Sequence, residues 1–164
     1  MRSVRVSLGV GVVAVLVTSL VVLESQSGVA QGDPFLGTWV LNVAKSKYTP
    51  GPPPKEQTVI YEAAGQGIKI AAKGTDAAGK PTTTTYTANY DGKDYLVGGN
   101  PDYDMTSLKR VNSNTVQFTR KKSGKVVQTG TNVVSADGKT RTVTATGVDA
   151  QGQKINNVTV YDRK

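Results

Sequence analysis

The side chains best suited to chemistry are scarce in this sequence, and those present are poorly spaced for it. Histidine and cysteine are both absent. That removes the one side chain whose unperturbed pKa lies near 7, the commonest transition-metal ligand and the usual partner of a nucleophilic serine. Beyond residue 30 the only glutamates are Glu56 and Glu62. On one strand, six residues at ~3.3 Å each hold them about 20 Å apart, whereas a glycosidase pair needs roughly 5–9.5 Å. Asn100-Pro101-Asp102-Tyr103-Asp104 offers oxygen ligands at alternate positions, as a calcium loop begins. It lacks the glycine and the closing glutamate of an EF-hand, so a polar loop is expected there. No Gly-x-Ser-x-Gly or Ser-x-x-Lys motif supports an activated serine. Gly9-Val10-Gly11-Val12-Val13-Ala14 matches the dinucleotide-binding pattern in letters, but it lies inside an apolar leader without the strand, helix and acidic residue that motif requires. The residues therefore point to a protein that is not an enzyme and uses no metal and no cofactor.

The leader itself sets the expected compartment. Arg2 and Arg5 precede an almost wholly apolar, uncharged run from Val6 to Leu23, and a short polar stretch ends in small residues at Gly28 and Ala30. This is the layout of a signal peptide over residues 1–30, cleaved after Ala30. The protein is expected to be secreted or periplasmic, with a membrane contact only if the leader stays attached. Loss of two basic residues and one acidic residue with the leader takes the net charge from +8 to +7. The charge is scattered and forms no basic run, so nucleic acid is not an expected partner. Without cysteine, an exported chain must hold itself by core packing and hydrogen bonds alone.

Residues 31–164 read as one all-β domain. A first strand spans about 37–43, with Trp39, Leu41 and Val43 on one face by the period of two. Tyr48-Thr49-Pro50-Gly51-Pro52-Pro53-Pro54 then makes a stiff connector. Further strands are expected at 56–63, 67–74, 81–90, 93–97, 104–111, 115–121, 125–134, 140–147 and 154–162, rich in Thr, Val, Ile and Tyr. Turn signals such as Asp91-Gly92, Ser123-Gly124 and Asp137-Gly138 separate them. Such a series is an antiparallel up-and-down meander, and closing it into a small barrel of about eight to ten strands removes its exposed edges. The protomer is expected to be a monomer.

Phe35-Leu36-Gly37-Thr38-Trp39 resembles the opening of lipocalins and of fatty-acid-binding proteins, which begin their first strand with a Gly-x-Trp motif. Val160-Tyr161-Asp162-Arg163-Lys164 resembles the last strand of the fatty-acid-binding group. The whole of residues 35–164 is similar to small bacterial secreted proteins described as lipocalin-like. The resemblance implies a lipocalin-like β-barrel with an internal cavity for a small apolar or amphipathic ligand. It also implies a structural role for Gly37 and Trp39, with Arg141 or Arg163 stacked on the indole. This chain departs from the fatty-acid-binding pattern in two places. A Pro-rich segment stands where that group inserts a helical lid, so no helical lid is expected. Thr159 stands where the group carries a carboxylate-binding arginine, two residues before the retained Tyr161.

Size and strand position make Ile60, Ile68, Ile70, Tyr86, Tyr90, Tyr95, Met105, Phe118 and Tyr161 the expected cavity lining. Thr82, Thr84, Tyr86, Ala88 and Tyr90 share one face of their strand, and Thr142, Thr144 and Thr146 share a face of theirs. A lumen of Thr and Tyr hydroxyls suits a polar or aromatic ligand better than a long alkyl chain. The competing reading is an envelope-associated interaction protein whose barrel is packed solid and takes no small molecule.

Overall fold

The computed structural model describes residues 32–164; the expected signal peptide lies outside them. Ten antiparallel strands form one sheet: β1 (Gly37–Leu41), β2 (Glu56–Ala64), β3 (Gly67–Thr75), β4 (Pro81–Asn89), β5 (Asp91–Leu96), β6 (Met105–Asn112), β7 (Thr115–Lys122), β8 (Lys125–Val134), β9 (Thr140–Val148) and β10 (Lys154–Arg163). The spatial order β4-β3-β2-β1-β10-β9-β8-β7-β6-β5 is a pure meander whose first and last strands meet. β1 carries the closure by pairing with both β2 and β10, Trp39 opposing Val59 on one side and Arg163 on the other. The ring is nearly closed. At the seam, β4 is laddered to the stretch just after β5 by the Thr85–Gly98 bridge, each backbone N–H donating to the other's carbonyl at 2.9 Å.

Two ends follow from the alternation. The floor gathers Phe35, the β2–β3, β4–β5, β6–β7 and β8–β9 turns and the last strand's end at Arg163. The mouth gathers the β1–β2 connector and the 97–104 loop. The connector holds no α-helix. After a 3₁₀ turn at Val43–Lys45 it returns to the edge of β10, where Lys47 and Val158 bridge and Asn156 N–H donates to the Thr49 carbonyl at 2.8 Å. The prolines then carry the chain across the mouth to β2.

Side-chain parity explains the core. Val59 and Tyr61, Ile68 and Ile70, Leu108, Val116 and Phe118, and Ala145 and Tyr161 all point inward and are buried. Ile60 therefore points outward and is 41% exposed, which corrects its expected place in the lining. Hydrophobicity alone put it there, but its two neighbours occupy the inner face. The outer face of β9 takes Thr142, Thr144 and Thr146, because Arg141, Val143 and Ala145 take the inner one.

The floor is sealed by two arginine stacks. Trp39 is 0% exposed and its indole N–H donates to the Phe35 carbonyl at 2.8 Å. The Arg163 guanidinium lies 4.1 Å from the indole centre and donates to the carbonyls of Leu36, Pro34 and Gly138. Gly37 of the Gly-x-Trp motif is needed for this. Its φ is +115°, and a Cβ there would stand 2.8 Å from Arg163 Nη1. Beside it, Arg110 lies 3.8 Å from the Tyr90 ring centre and pairs with Asp33, whose carboxylate also accepts from the Tyr90 hydroxyl at 2.9 Å. Burial, then the Asp33 charge, pushes the Tyr90 hydroxyl far above its usual range. The Asp33 side chain is 2% exposed and that of Arg110 24%. Asp33→Asn should lower the unfolding free energy by about 2–3 kcal/mol in urea titration, somewhat less than the ~3–5 kcal/mol of breaking a fully buried pair. A loss below ~1 kcal/mol would show that the plug is not a stabilising element.

Candidate functional site

The barrel is not packed solid. A cavity of about 250 Å³ runs inside it from the mouth toward Arg141. Of the expected lining, Ile70, Tyr86, Phe118 and Tyr161 face this space. Ile68 is buried nearer the floor, against Ala88 opposite on β4. Tyr90 belongs to the Asp33 plug. Tyr95 turns its hydroxyl to Asp91 at 2.9 Å. Met105 has the parity opposite to the inward Thr106. Sequence position overlooked Tyr61, Arg120, Gln128 and Asn132, and offered Arg141 only as one of two arginines to stack on the indole. The signal was available for Arg120, which lies two residues beyond Phe118 and so shares its face.

β9 presents Arg141 inward, opposite Tyr161 on β10 and Val134 on β8. The residue is 2% exposed. Its guanidinium carbon lies 4.0 Å from the Tyr161 ring centre, 4.9 Å from Tyr61 and 5.6 Å from Trp39. Nη1 donates to the Tyr61 hydroxyl oxygen at 2.8 Å. Nε and Nη2 are buried and have no hydrogen-bond partner among the described residues. These two belong to one edge of the guanidinium, where the N–H bonds run side by side at the spacing of a carboxylate's two oxygens.

The neighbours add a third donor. Asn132 Nδ2 donates to the same Tyr61 oxygen at 3.1 Å, and Asn132 Oδ1 is buried without a partner. With two donors already on its oxygen, the Tyr61 hydroxyl hydrogen is left over. Turning the Asn132 amide over lets that hydroxyl donate to Oδ1 and frees Nδ2 instead. Either arrangement leaves one donor of the Tyr61–Asn132 pair unused, in addition to the two of Arg141.

Among the described residues no nearby acid answers this charge, and the charged side chains in the cavity lining are Arg120, Arg141 and Asp102. Asp102 belongs to the mouth loop, where its carboxylate accepts from the Ala150 N–H at 3.0 Å. The neighbouring Asp104 likewise accepts from the Ser123 N–H, so both carboxylates of the supposed calcium-like loop serve backbone amides. Higher in the lumen, Arg120 donates to Gln128 Oε1 at 2.9 Å and lies 4.5 Å from the Tyr103 ring centre and 4.3 Å from that of Phe118. Burial pushes the hydroxyls of Tyr86, Tyr103 and Tyr161 above their usual value, although neighbouring arginines pull each down. They remain neutral hydrogen-bonding groups at pH 7.

No protein-family model matches the chain, and no curated protein matches it. The likeness to lipocalins and fatty-acid-binding proteins thus rests on the Gly-x-Trp opening, the arginine over the indole and the nearly closed ten-stranded meander, which is compatible with a calycin-like barrel.

A buried cation without a counter-charge destabilises the empty fold unless something completes it. Arg141→Met should therefore keep the urea midpoint of the ligand-free protein unchanged or raise stability by about 1–2 kcal/mol. A loss greater than ~1 kcal/mol would make Arg141 a structural strut.

Proposed function

We propose that this chain is an exported, non-catalytic barrel that binds a small amphipathic molecule through an oxoanion, a carboxylate above all. The observation that carries the reading is Arg141, a lining residue of the lumen with two buried guanidinium nitrogens that have no partner among the described residues. A carboxylate there would occupy both guanidinium donors in a planar fork. The apolar and aromatic wall above would take the body of the ligand, as most small-molecule sites do. Thr159 in place of the fatty-acid-binding arginine leaves room for this. The cation that faces the lumen comes from β9 in place of the last strand. Space of about 250 Å³ in the lumen weighs against the solid-barrel, interaction-protein reading.

Calorimetric titration of the protein with short carboxylic acids and their primary amides tests the proposal. Acids should bind at least about tenfold more tightly than the matching amides, since hydrogen bonds to charged groups are worth ~1.5–3 kcal/mol, and Arg141→Met should remove that difference. Equal binding of acid and amide, or none by either, would overturn it. The pH dependence has a definite sign. A guanidinium lowers the pKa of the carboxyl bound to it. Affinity should be flat above the free acid's pKa and fall about tenfold per pH unit below it, where the ligand must lose a proton to bind.

A further inference from the structure

The dimensions and lining of the lumen restrict the ligand further. A cavity of about 250 Å³ falls below the ~300–1,000 Å³ of sites for drug-sized ligands. It suits a small acid better than an extended long-chain one. The wall is also unsuited to an alkyl chain. Tyr48, Tyr86, Tyr103, Phe118 and Tyr161 contribute rings around the space. Polar groups recur along its height, with Asn132 low, Gln128 and Thr106 midway, and Thr84, Asn100 and Asn157 toward the mouth. Gln128, Asn100 and Asn157 are bonded to Arg120, Thr84 and the Thr49 N–H, and a wall so rich in polar groups gives an alkyl chain little apolar surface to cover. A flat ring meets the tyrosine faces and edges in the arrangements aromatic pairs prefer, and the Arg120 guanidinium within the same wall attracts a π face.

We propose that the ligand is a small aromatic monocarboxylate of one or two rings, seated carboxylate-down on Arg141 with its ring between the tyrosines and Arg120. This rests on the oxoanion reading above and adds to it the size and flatness of the body. A polar substituent on the ring's far side would meet Asn100, Asn157 or Thr84 near the mouth.

The test compares acids of equal carbon number, so that charge stays constant while shape changes, and the straight-chain acid of each pair keeps the advantage in apolar area. Benzoate is set against heptanoate and phenylacetate against octanoate, each titrated calorimetrically into the protein, with oleate as the long-chain probe. The expected result is at least about tenfold tighter binding of each aromatic acid than its straight-chain partner, and no binding of oleate within the lumen, read as failure to displace phenylacetate. Straight-chain acids binding as tightly as aromatic ones, or oleate displacing phenylacetate, would overturn the aromatic assignment while leaving the oxoanion site in place. Binding by none of the acids would overturn both.

Discussion

Four arginines are held against rings in this barrel, and the chain treats two of them, Arg110 and Arg141, differently. Arg110 at the floor has Asp33 within reach of its guanidinium and a tyrosine face beneath it. Arg141, more deeply buried, has aromatic faces around it and one hydroxyl, but no carboxylate among the described residues. Ring quadrupoles offset part of the lost hydration of a cation, yet they leave N–H groups unbonded, and an unmade hydrogen bond in a dry interior is expensive. The unanswered charge of Arg141 is the constraint from which the rest of the account follows. It explains why a polar network of Tyr61 and Asn132 stands in an otherwise apolar region, and why open space adjoins it.

The architecture divides the work between its two ends. The floor is sealed by Trp39, Arg163, Phe35 and the Asp33–Arg110–Tyr90 cluster, all tied to backbone carbonyls or to one another. In a chain without disulfides, this clustering near the start and end of the sheet holds the closure that β1 makes with β2 and β10. The mouth is built differently. Its loops are capped by Asp76, Asp102, Asp104 and Asp149 accepting from backbone amides, and the proline connector is laddered onto β10. At the seam, Gly99 lies so near the Thr83 carbonyl that a Cβ would approach it to 2.8 Å, so the loop hugs β4 where the ladder is thinnest.

Much of the fold was legible in the sequence because its signals are local. Asp-Gly and Ser-Gly pairs mark turns, and β-branched runs between them mark strands, so the ten strands fall within a few residues of their expected bounds. The Gly-x-Trp opening was legible too, since it requires a positive φ and a stacked arginine that both exist. What was not legible depends on parity and on distance across the barrel. Val59-Ile60-Tyr61 reads as one apolar run, and nothing within it tells which member faces in. The meeting of Arg141 with Tyr61 and Asn132 joins β9, β2 and β8, residues up to 80 positions apart. Closure brings them together, and no spacing in the chain announces it. The same holds for the missing counter-charge, which is a property of the assembled lumen.

The most direct measurement is native mass spectrometry of the protein purified from its own host, beside a denatured sample and beside Arg141→Met prepared identically. A reproducible mass excess corresponding to one small acid, lost on denaturation and absent from the variant, is the expected result. An excess retained in full by Arg141→Met, or no excess in the unaltered protein together with no uptake of any added carboxylate, would contradict it.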